Sequence, residues 1–125
     1  MPHVILEYTD NLSQHTDIQL LLEKINSVLI EKKVYPIGGI RSRAHEVNYY
    51  HIADGKEKDA FVHAILKIGK GRTEEVKKAT CEQVFETIKT HFEEYCKHHY
   101  LALSLELIEF QHATLKSNNI HERFK

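Results

Sequence analysis

Residues 60–75 read AFVHAILKIGKGRTEE, and this stretch decides the fold. Its first nine residues are mostly apolar, which is typical of a largely buried strand that ends before Gly69. Thr73 follows as a candidate helix N-cap, because Glu74 and Glu75 lie in the first turn, where carboxylates favour the positive end of the helix dipole. The stretch therefore predicts a strand, a short Gly-x-Gly loop and a helix.

The residues that follow continue this helix and then change period. Apolar residues at helical spacing, from Val76 to Tyr95, predict that the helix continues to about His99. From Leu101 to Leu107 every second residue is leucine, and the residues between them are small or polar. This period of two predicts a half-buried strand. Residues 111–125 form a C-terminal tail, a candidate arm onto a neighbouring subunit.

The first half of the chain repeats this order. His3–Tyr8 is a short apolar run that predicts a buried strand, which Pro2 opens. From Ser13 onward a helical apolar stripe runs to about Lys33, and Pro36 and two glycines close it. Residues 40–51 are polar for a strand, yet they lack helical periodicity and are rich in aromatic residues. We therefore predict a second strand there.

The element order describes a strand-helix-strand unit written twice. We expect a single domain, residues 1–125, with pseudo-repeat units at about 2–52 and 59–110 and the tail at 111–125. Each unit is a right-handed crossover between parallel strands, so the predicted class is a two-layer α+β fold, with a four-stranded mixed sheet and two helices on one face. The other face would leave Val, Ile and Leu side chains in water unless another subunit packs there, which predicts a homo-oligomer.

Composition and charge argue against several classes of partner. The 125 residues carry 17 Lys+Arg and 18 Asp+Glu, a net charge of −1, so no basic surface for nucleic acid is expected. The apolar runs are far shorter than the roughly 20 residues of a membrane span, and the amino terminus lacks the pattern of a secretory signal. We expect a cytoplasmic protein. Cys81 and Cys96 have neither disulfide-framework nor zinc-site spacing.

Pro2 is a candidate base. A small second residue permits removal of Met1, and the proline then carries a free secondary amine. An α-amino group titrates near ~7.7–8.0, and burial or neighbouring cations lower that value, so the amine could act as a general base at neutral pH. Met-Pro is also an ordinary start, so Pro2 alone does not establish catalysis.

Three arginines are candidate anion-binding residues. Arg72 follows the Gly-x-Gly loop at a helix N-terminus, where free NH groups and the dipole favour a carboxylate. A simple strand-to-helix turn explains the loop equally well. Arg41 and Arg43 lie two apart on a predicted strand and share a face with His45 and Tyr49. Two guanidinium groups there could hold a dianion, or they could protect a solvated sheet edge.

The spacing of His91, Glu94 and His98 on one helix face resembles a metal site. No HExxH motif or cysteine-rich partner accompanies these residues, so we predict no metal site. The sequence also lacks the GxSxG elbow of serine hydrolases and any recognisable setting for a cysteine nucleophile.

A resemblance covers essentially the whole chain. It is carried, in order, by short motifs that together are specific: Pro2–Tyr8, Pro36–Arg43, Ala53–Gly55, Ala60–His63, Leu66–Gly69, Gly71-Arg72, Phe85–Phe92, Leu101–Ser104 and Asn118–His121. In these motifs the chain resembles the 5-carboxymethyl-2-hydroxymuconate delta-isomerases of the tautomerase superfamily. Residues 68–78 are also similar to the strand, Gly-Arg-Ser/Thr turn and helix of the shorter 4-oxalocrotonate tautomerases.

The resemblance implies a homotrimer of duplicated subunits and a cofactor-independent isomerase acting on a polycarboxylate in homoprotocatechuate catabolism. It implies Pro2 as the acid/base and Arg72 and Arg41 as substrate-binding residues, with Arg43 a weaker match. The second unit opens at Phe61 without a free amine, so one active site per subunit is expected. Two alternatives stay open: a tautomerase for another enol such as that of phenylpyruvate, and a non-catalytic trimeric ligand-binding protein.

Overall fold

The computed structural model describes all 125 residues. The strands and helices follow the predicted order: β1 His3–Thr9, α1 Ile18–Glu31, β2 Arg41–Val47, β3 Ala60–Ile68, α2 Glu74–His91, the short α3 Glu93–Cys96, and β4 Leu101–Glu109. Three 3-10 turns lie at Asp10–Leu12, Ile37–Gly39 and Asn119–Phe124. No helix is both long and apolar enough to span a membrane.

The four strands form one mixed sheet in the order β2-β1-β3-β4. β1 is parallel to β2, β3 is parallel to β4, and the two pairs meet along an antiparallel β1–β3 ladder. Each parallel pair is joined through a helix, because parallel neighbours need a long crossover connection. The predicted duplicated sheet with two long helices on one face is confirmed.

The core lies between the sheet and the two long helices. Alternate strand residues, such as Leu6 and Leu66, are fully buried on the helix side, and they pack with Leu21, Ile25 and Ile88 of the helices. Burial of this apolar surface is the main force that holds the layers together. A buried hydrogen bond of 2.9 Å between the Tyr35 and Thr80 hydroxyls ties the loop after α1 to α2.

The other face of the sheet is more polar than the sequence predicted. One row across the strands places Ile5 and Ile65 between Arg43 and Glu106. The neighbouring row consists of Arg41, His3, Lys67 and Ile108. The face therefore carries isoleucine side chains, as expected, but they form a small apolar centre among charged side chains.

β2 ends at Val47, so the predicted strand over residues 40–51 was too long. Its partner β1 ends at Thr9, which pairs with Val47, and the following residues have no strand to bond. The side chains of Asn48 and Tyr50 instead donate to the Asp10 carboxylate, at 3.3 and 2.9 Å. Tyr49 is 95% exposed beyond the strand end, so it does not continue the row of Arg41 and Arg43.

Two helix boundaries differ from those predicted. The second helix ends at His91 and not near His99, because the backbone leaves helical geometry at the fully buried Phe92 (φ −99°, ψ 9°). α1 begins at Ile18 and not at Ser13, since Asp17 caps it by accepting a 3.0 Å hydrogen bond from the Leu20 amide. Thr73 caps α2 as predicted, accepting from the Val76 amide at 3.2 Å.

His91 joins the two long helices. Its Nε2 lies 2.6 Å from the Thr16 hydroxyl, and its Nδ1 lies 3.2 Å from the Lys24 ammonium nitrogen. Burial, and then the charge of Lys24, lowers the pKa of His91 below its ordinary value, although Asp17 opposes the shift. The folded protein therefore favours a neutral His91.

This histidine predicts a pH-dependent stability. The unfolded chain protonates His91 near its ordinary pKa of about 6.5 while the folded chain resists, so the unfolded state binds more protons and the free energy of unfolding falls as the pH drops through that range. Urea unfolding at pH 7.5 and pH 5 should show a smaller pH-dependent loss in His91→Gln than in the natural protein. Equal losses of unfolding free energy in the two proteins would show that His91 is not the source of the pH dependence.

Candidate active site

The amino terminus is held at the centre of the sheet. The Pro2 carbonyl accepts a 3.1 Å hydrogen bond from the Arg41 amide, and Pro2 itself is buried. Met1 packs against Gly39, where an added Cβ would lie 3.5 Å from both Cα and Cγ of Met1. The chain end therefore lies beside the Ile37–Gly39 turn, at the point where β1 and β2 begin.

The charges around this terminus are positive. Burial lowers the pKa of the Met1 amine first, followed by the charges of Lys116, Arg72 and Arg41. These three side chains take part in none of the five ion pairs within the subunit. Cations without carboxylate partners can bind an anion, and they also keep a nearby amine in its neutral, basic form.

Arg72 is fixed by contacts with the first unit of the duplicated fold. Its Nη2 donates to the Val34 carbonyl at 3.3 Å, and its guanidinium lies over the Tyr35 ring at 4.4 Å. Its Nη1 donates to the Gly69 carbonyl at 3.4 Å, across a loop in which Gly71 has φ +113°. A glycine suits this conformation because it has no Cβ to clash. The loop of the second unit thus carries its arginine to the terminus of the first.

Arg41 and Arg43 have different surroundings in the structure. Both lie on the open sheet face, which is the face that the helices leave uncovered. His45 lies on the same face, two residues further along β2. Arg43 is exposed, and its Nη1 lies 3.0 Å from His3 Nδ1. Burial, and then Arg43 and Arg41, lowers the pKa of His3, so its ring can accept from Arg43. The Arg41 side chain makes no such bond, and its charge acts on the amine.

The C-terminal tail contacts the turn that lies beside the amino terminus. The Asn118 amide donates to the Gly38 carbonyl at 2.8 Å, and the His121 side chain lies against Gly38 and Gly39. Residues 118–121 of the tail therefore pack onto their own subunit, beside the Ile37–Gly39 turn. The only sequence signal was the motif Asn118–His121 within the family resemblance, since a short polar tail has no periodicity that predicts its contacts.

His91, Glu94 and His98, whose spacing resembles a metal site, lie on separate segments of the fold. His91 belongs to α2, Glu94 to the separate α3, and His98 lies beyond α3. His91 uses both ring nitrogens toward Thr16 and Lys24. Glu94 accepts from the Lys97 ammonium at 3.0 Å.

Comparisons with known proteins agree along the whole chain. The family model described as 5-carboxymethyl-2-hydroxymuconate isomerase matches residues 2–124. A protein from Escherichia coli described as 5-carboxymethyl-2-hydroxymuconate Delta-isomerase is 44% identical over 127 residues and is aligned over 100% of both chains. The crystal structure of a 5-carboxymethyl-2-hydroxymuconate isomerase from Deinococcus radiodurans R1 is 46% identical, with a TM-score of 0.94 over 99% of this chain and 94% of that one.

More distant structures share the fold. A protein described as fused 4-OT, a symmetric trimer, is 19% identical and has a TM-score of 0.66 over 93% of this chain and 95% of its own. Its likeness confirms the predicted tautomerase-like fold.

The positive surroundings predict an effect on the α-amino group. Arg72→Gln removes one cation near the Met1 amine, so the pKa of that amine should rise. The pH dependence of amine acylation, followed by mass spectrometry on chains that retain Met1, measures this value. Arg123→Gln is the matched control, because Arg123 lies over Phe124 and is not among the charges that act on the amine. Equal shifts in both variants would contradict the placement of Arg72.

Proposed function

The chain belongs to the 5-carboxymethyl-2-hydroxymuconate isomerase family and is an isomerase; from this premise we propose that Pro2 is its general acid/base and that Arg41 and Arg72 bind its substrate. The substrate is 5-carboxymethyl-2-hydroxymuconate, a dienol tricarboxylate, and the product is its 2-oxo enone tautomer. The observation that carries this proposal is the position of the chain terminus: it is partly buried, and the charges of Lys116, Arg72 and Arg41 lower the pKa of its amine.

The proposed base appears when Met1 is removed. Pro2 nitrogen then becomes a secondary amine at nearly the same place, because the Pro2 carbonyl stays bonded to the Arg41 amide. Burial and the neighbouring cations would lower its pKa, as they lower that of the Met1 amine. A substantial neutral fraction at physiological pH is what a general base needs.

The reaction is a proton transfer within one molecule. Pro2 nitrogen takes the proton of the 2-hydroxyl, the C2–O bond becomes a carbonyl, and the diene electrons shift toward the far end of the conjugated system. The protonated Pro2 then returns its proton to the carbon at that end, C5. Protons and electrons balance without an oxidant, a reductant or a cofactor.

The arginines would bind carboxylates and stabilise the negative charge that develops on the 2-oxygen. Preorganised cations act most strongly on such charge in a partly desolvated site. Arg72 is held by carbonyl and ring contacts, and Arg41 lies on the strand paired with β1. Arg43, the weaker of the predicted residues, has a more distant role because it bonds to His3 and points to solvent.

The proposed assembly is a homotrimer with one site per subunit. The fused 4-OT structure of the same fold is described as a symmetric trimer. A second subunit on the open sheet face would cover Ile5 and Ile65, the apolar centre of that face. The second unit begins inside the chain and offers no free amine, so it would not repeat the base. We place this metabolic enzyme in the cytoplasm, as the sequence analysis expects.

The role of Pro2 is tested by the ketonisation of 5-carboxymethyl-2-hydroxymuconate, followed by ultraviolet absorbance. Pro2→Ala, with removal of Met1 verified by intact mass, should lose about 10²–10⁴-fold in kcat/KM. This is the usual contribution of a positioned general base. Unchanged activity in this variant would rule out proline catalysis. Conversion of phenylpyruvate enol but not of the tricarboxylate would indicate a different substrate.

The arginines are tested by separate substitutions. Arg72→Ala and Arg41→Ala should each raise KM and lower kcat, because both side chains would contact the ground state and the transition state. Arg43→Ala should have a smaller effect, and Arg123→Ala, in the tail, should have none. A loss of kcat/KM in Arg43→Ala as large as that in Arg72→Ala would show that Arg43 also binds the substrate directly.

A further inference from the structure

The C-terminal segment closes over the amino terminus. The Asn118 side chain donates to the Gly38 carbonyl and accepts from the Ile120 amide at 2.9 Å, so it joins the Ile37–Gly39 turn to the Asn119–Phe124 turn. An added Cβ at Gly38 would lie 2.7 Å from His121 Nδ1. The tail can approach this closely only because residue 38 has no side chain.

His121 and Met1 flank the same position. An added Cβ at Gly39 would lie 3.5 Å from Met1 Cα and 3.7 Å from His121 Cε1. Removal of Met1 would therefore open a space bounded by Gly39 and His121, directly in front of the Pro2 nitrogen. The His121 side chain lies on one side of that space, and the bond from Asn118 to Gly38 holds its segment there.

Lys116 precedes Asn118 by two residues in the same tail. It lines an open groove together with Gly69 and Lys70, which lie on the loop that carries Arg72. Its charge lowers the pKa of the terminal amine, as do the charges of Arg72 and Arg41. Within the subunit, Lys116 makes no ion pair and no side-chain hydrogen bond, as the five pairs all lie elsewhere.

The other cations near the site already have partners. Lys67 lies over the Phe110 ring at 5.2 Å, Lys70 donates to the Gln111 carbonyl at 3.4 Å, and Arg43 contacts His3. A third cation beside Arg41 and Arg72 could bind the third carboxylate of the proposed substrate. The proposed substrate carries its extra carboxylate on a flexible carboxymethyl arm, which suits a lysine on a mobile stem more than a fixed guanidinium.

We propose that Lys116 binds the carboxymethyl carboxylate of the substrate, with Asn118 and His121 as positioning residues that hold the segment over the site. This inference rests on the proposed function, since it names the contact that distinguishes the tricarboxylate from simpler dienols. Specificity for the tricarboxylate then depends on the tail, which is separate from the strand that carries Arg41 and the loop that carries Arg72.

The test compares two substrates that differ by one carboxymethyl group, 5-carboxymethyl-2-hydroxymuconate and 2-hydroxymuconate. Lys116→Gln should raise the KM for the tricarboxylate about tenfold relative to the KM for the dicarboxylate, the effect of losing one charge-assisted contact. A change in the pKa of the terminal amine would affect both substrates alike and would cancel in this ratio. Lys116→Arg should restore most of the preference. Lys125→Gln is the matched control, because it removes the same charge from a tail lysine that is paired with Glu122.

Asn118→Ala tests the positioning role. Loss of the hydrogen bond to Gly38 should reduce the preference for the tricarboxylate in the same direction, with circular dichroism showing an intact fold. An unchanged ratio of the two KM values in Lys116→Gln overturns the inference while the natural enzyme still converts both substrates. Failure of the natural enzyme to convert the tricarboxylate overturns the proposed function as well.

Discussion

The chain terminus depends on the central position of β1. This strand bonds to β2 on one side and to β3 on the other, so its first residues are held along both edges. Termini of most domains fray unless a sheet or a docked helix holds them. Here the hydrogen bond from the Arg41 amide to the Pro2 carbonyl fixes the last backbone group before the amine. A terminal base can be positioned as precisely as a side chain only under this constraint.

The surroundings of the terminus are electrostatically one-sided. Arg41, Arg72 and Lys116 approach the amine without a carboxylate between them. Like charges near one another repel and destabilise the folded state, and a bound polyanion relieves that repulsion. The same charges lower the pKa of the amine, so in the proposed mechanism substrate binding and basicity have a common cause. Arg72 belongs to the second unit and contacts Val34 and Tyr35 of the first, so the two halves of the duplicated fold meet beside the terminus.

The local elements were largely predictable because they follow from short-range patterns. The strand over residues 60–68 and the Thr73 cap agree with the structure, since alternation and capping depend on neighbouring residues alone. The limits of β2 and α2 were not predictable in this way. β2 ends where its partner β1 ends. α2 ends at Phe92, whose backbone is not helical and whose side chain is fully buried in the core. Both limits are set by residues distant in sequence.

The sequence by itself determined the duplicated strand-helix-strand order, the candidate base Pro2 and the three candidate arginines. Only the tertiary structure decided which of these groups meet. It brought Arg72 and Arg41 to the terminus, turned Arg43 toward His3, and excluded Tyr49 from the row. It also placed the tail over Gly38, a contact between residues 80 apart in sequence. The reason is physical: periodicity records which face of an element is buried, whereas a site depends on contacts between elements that close only when the chain packs.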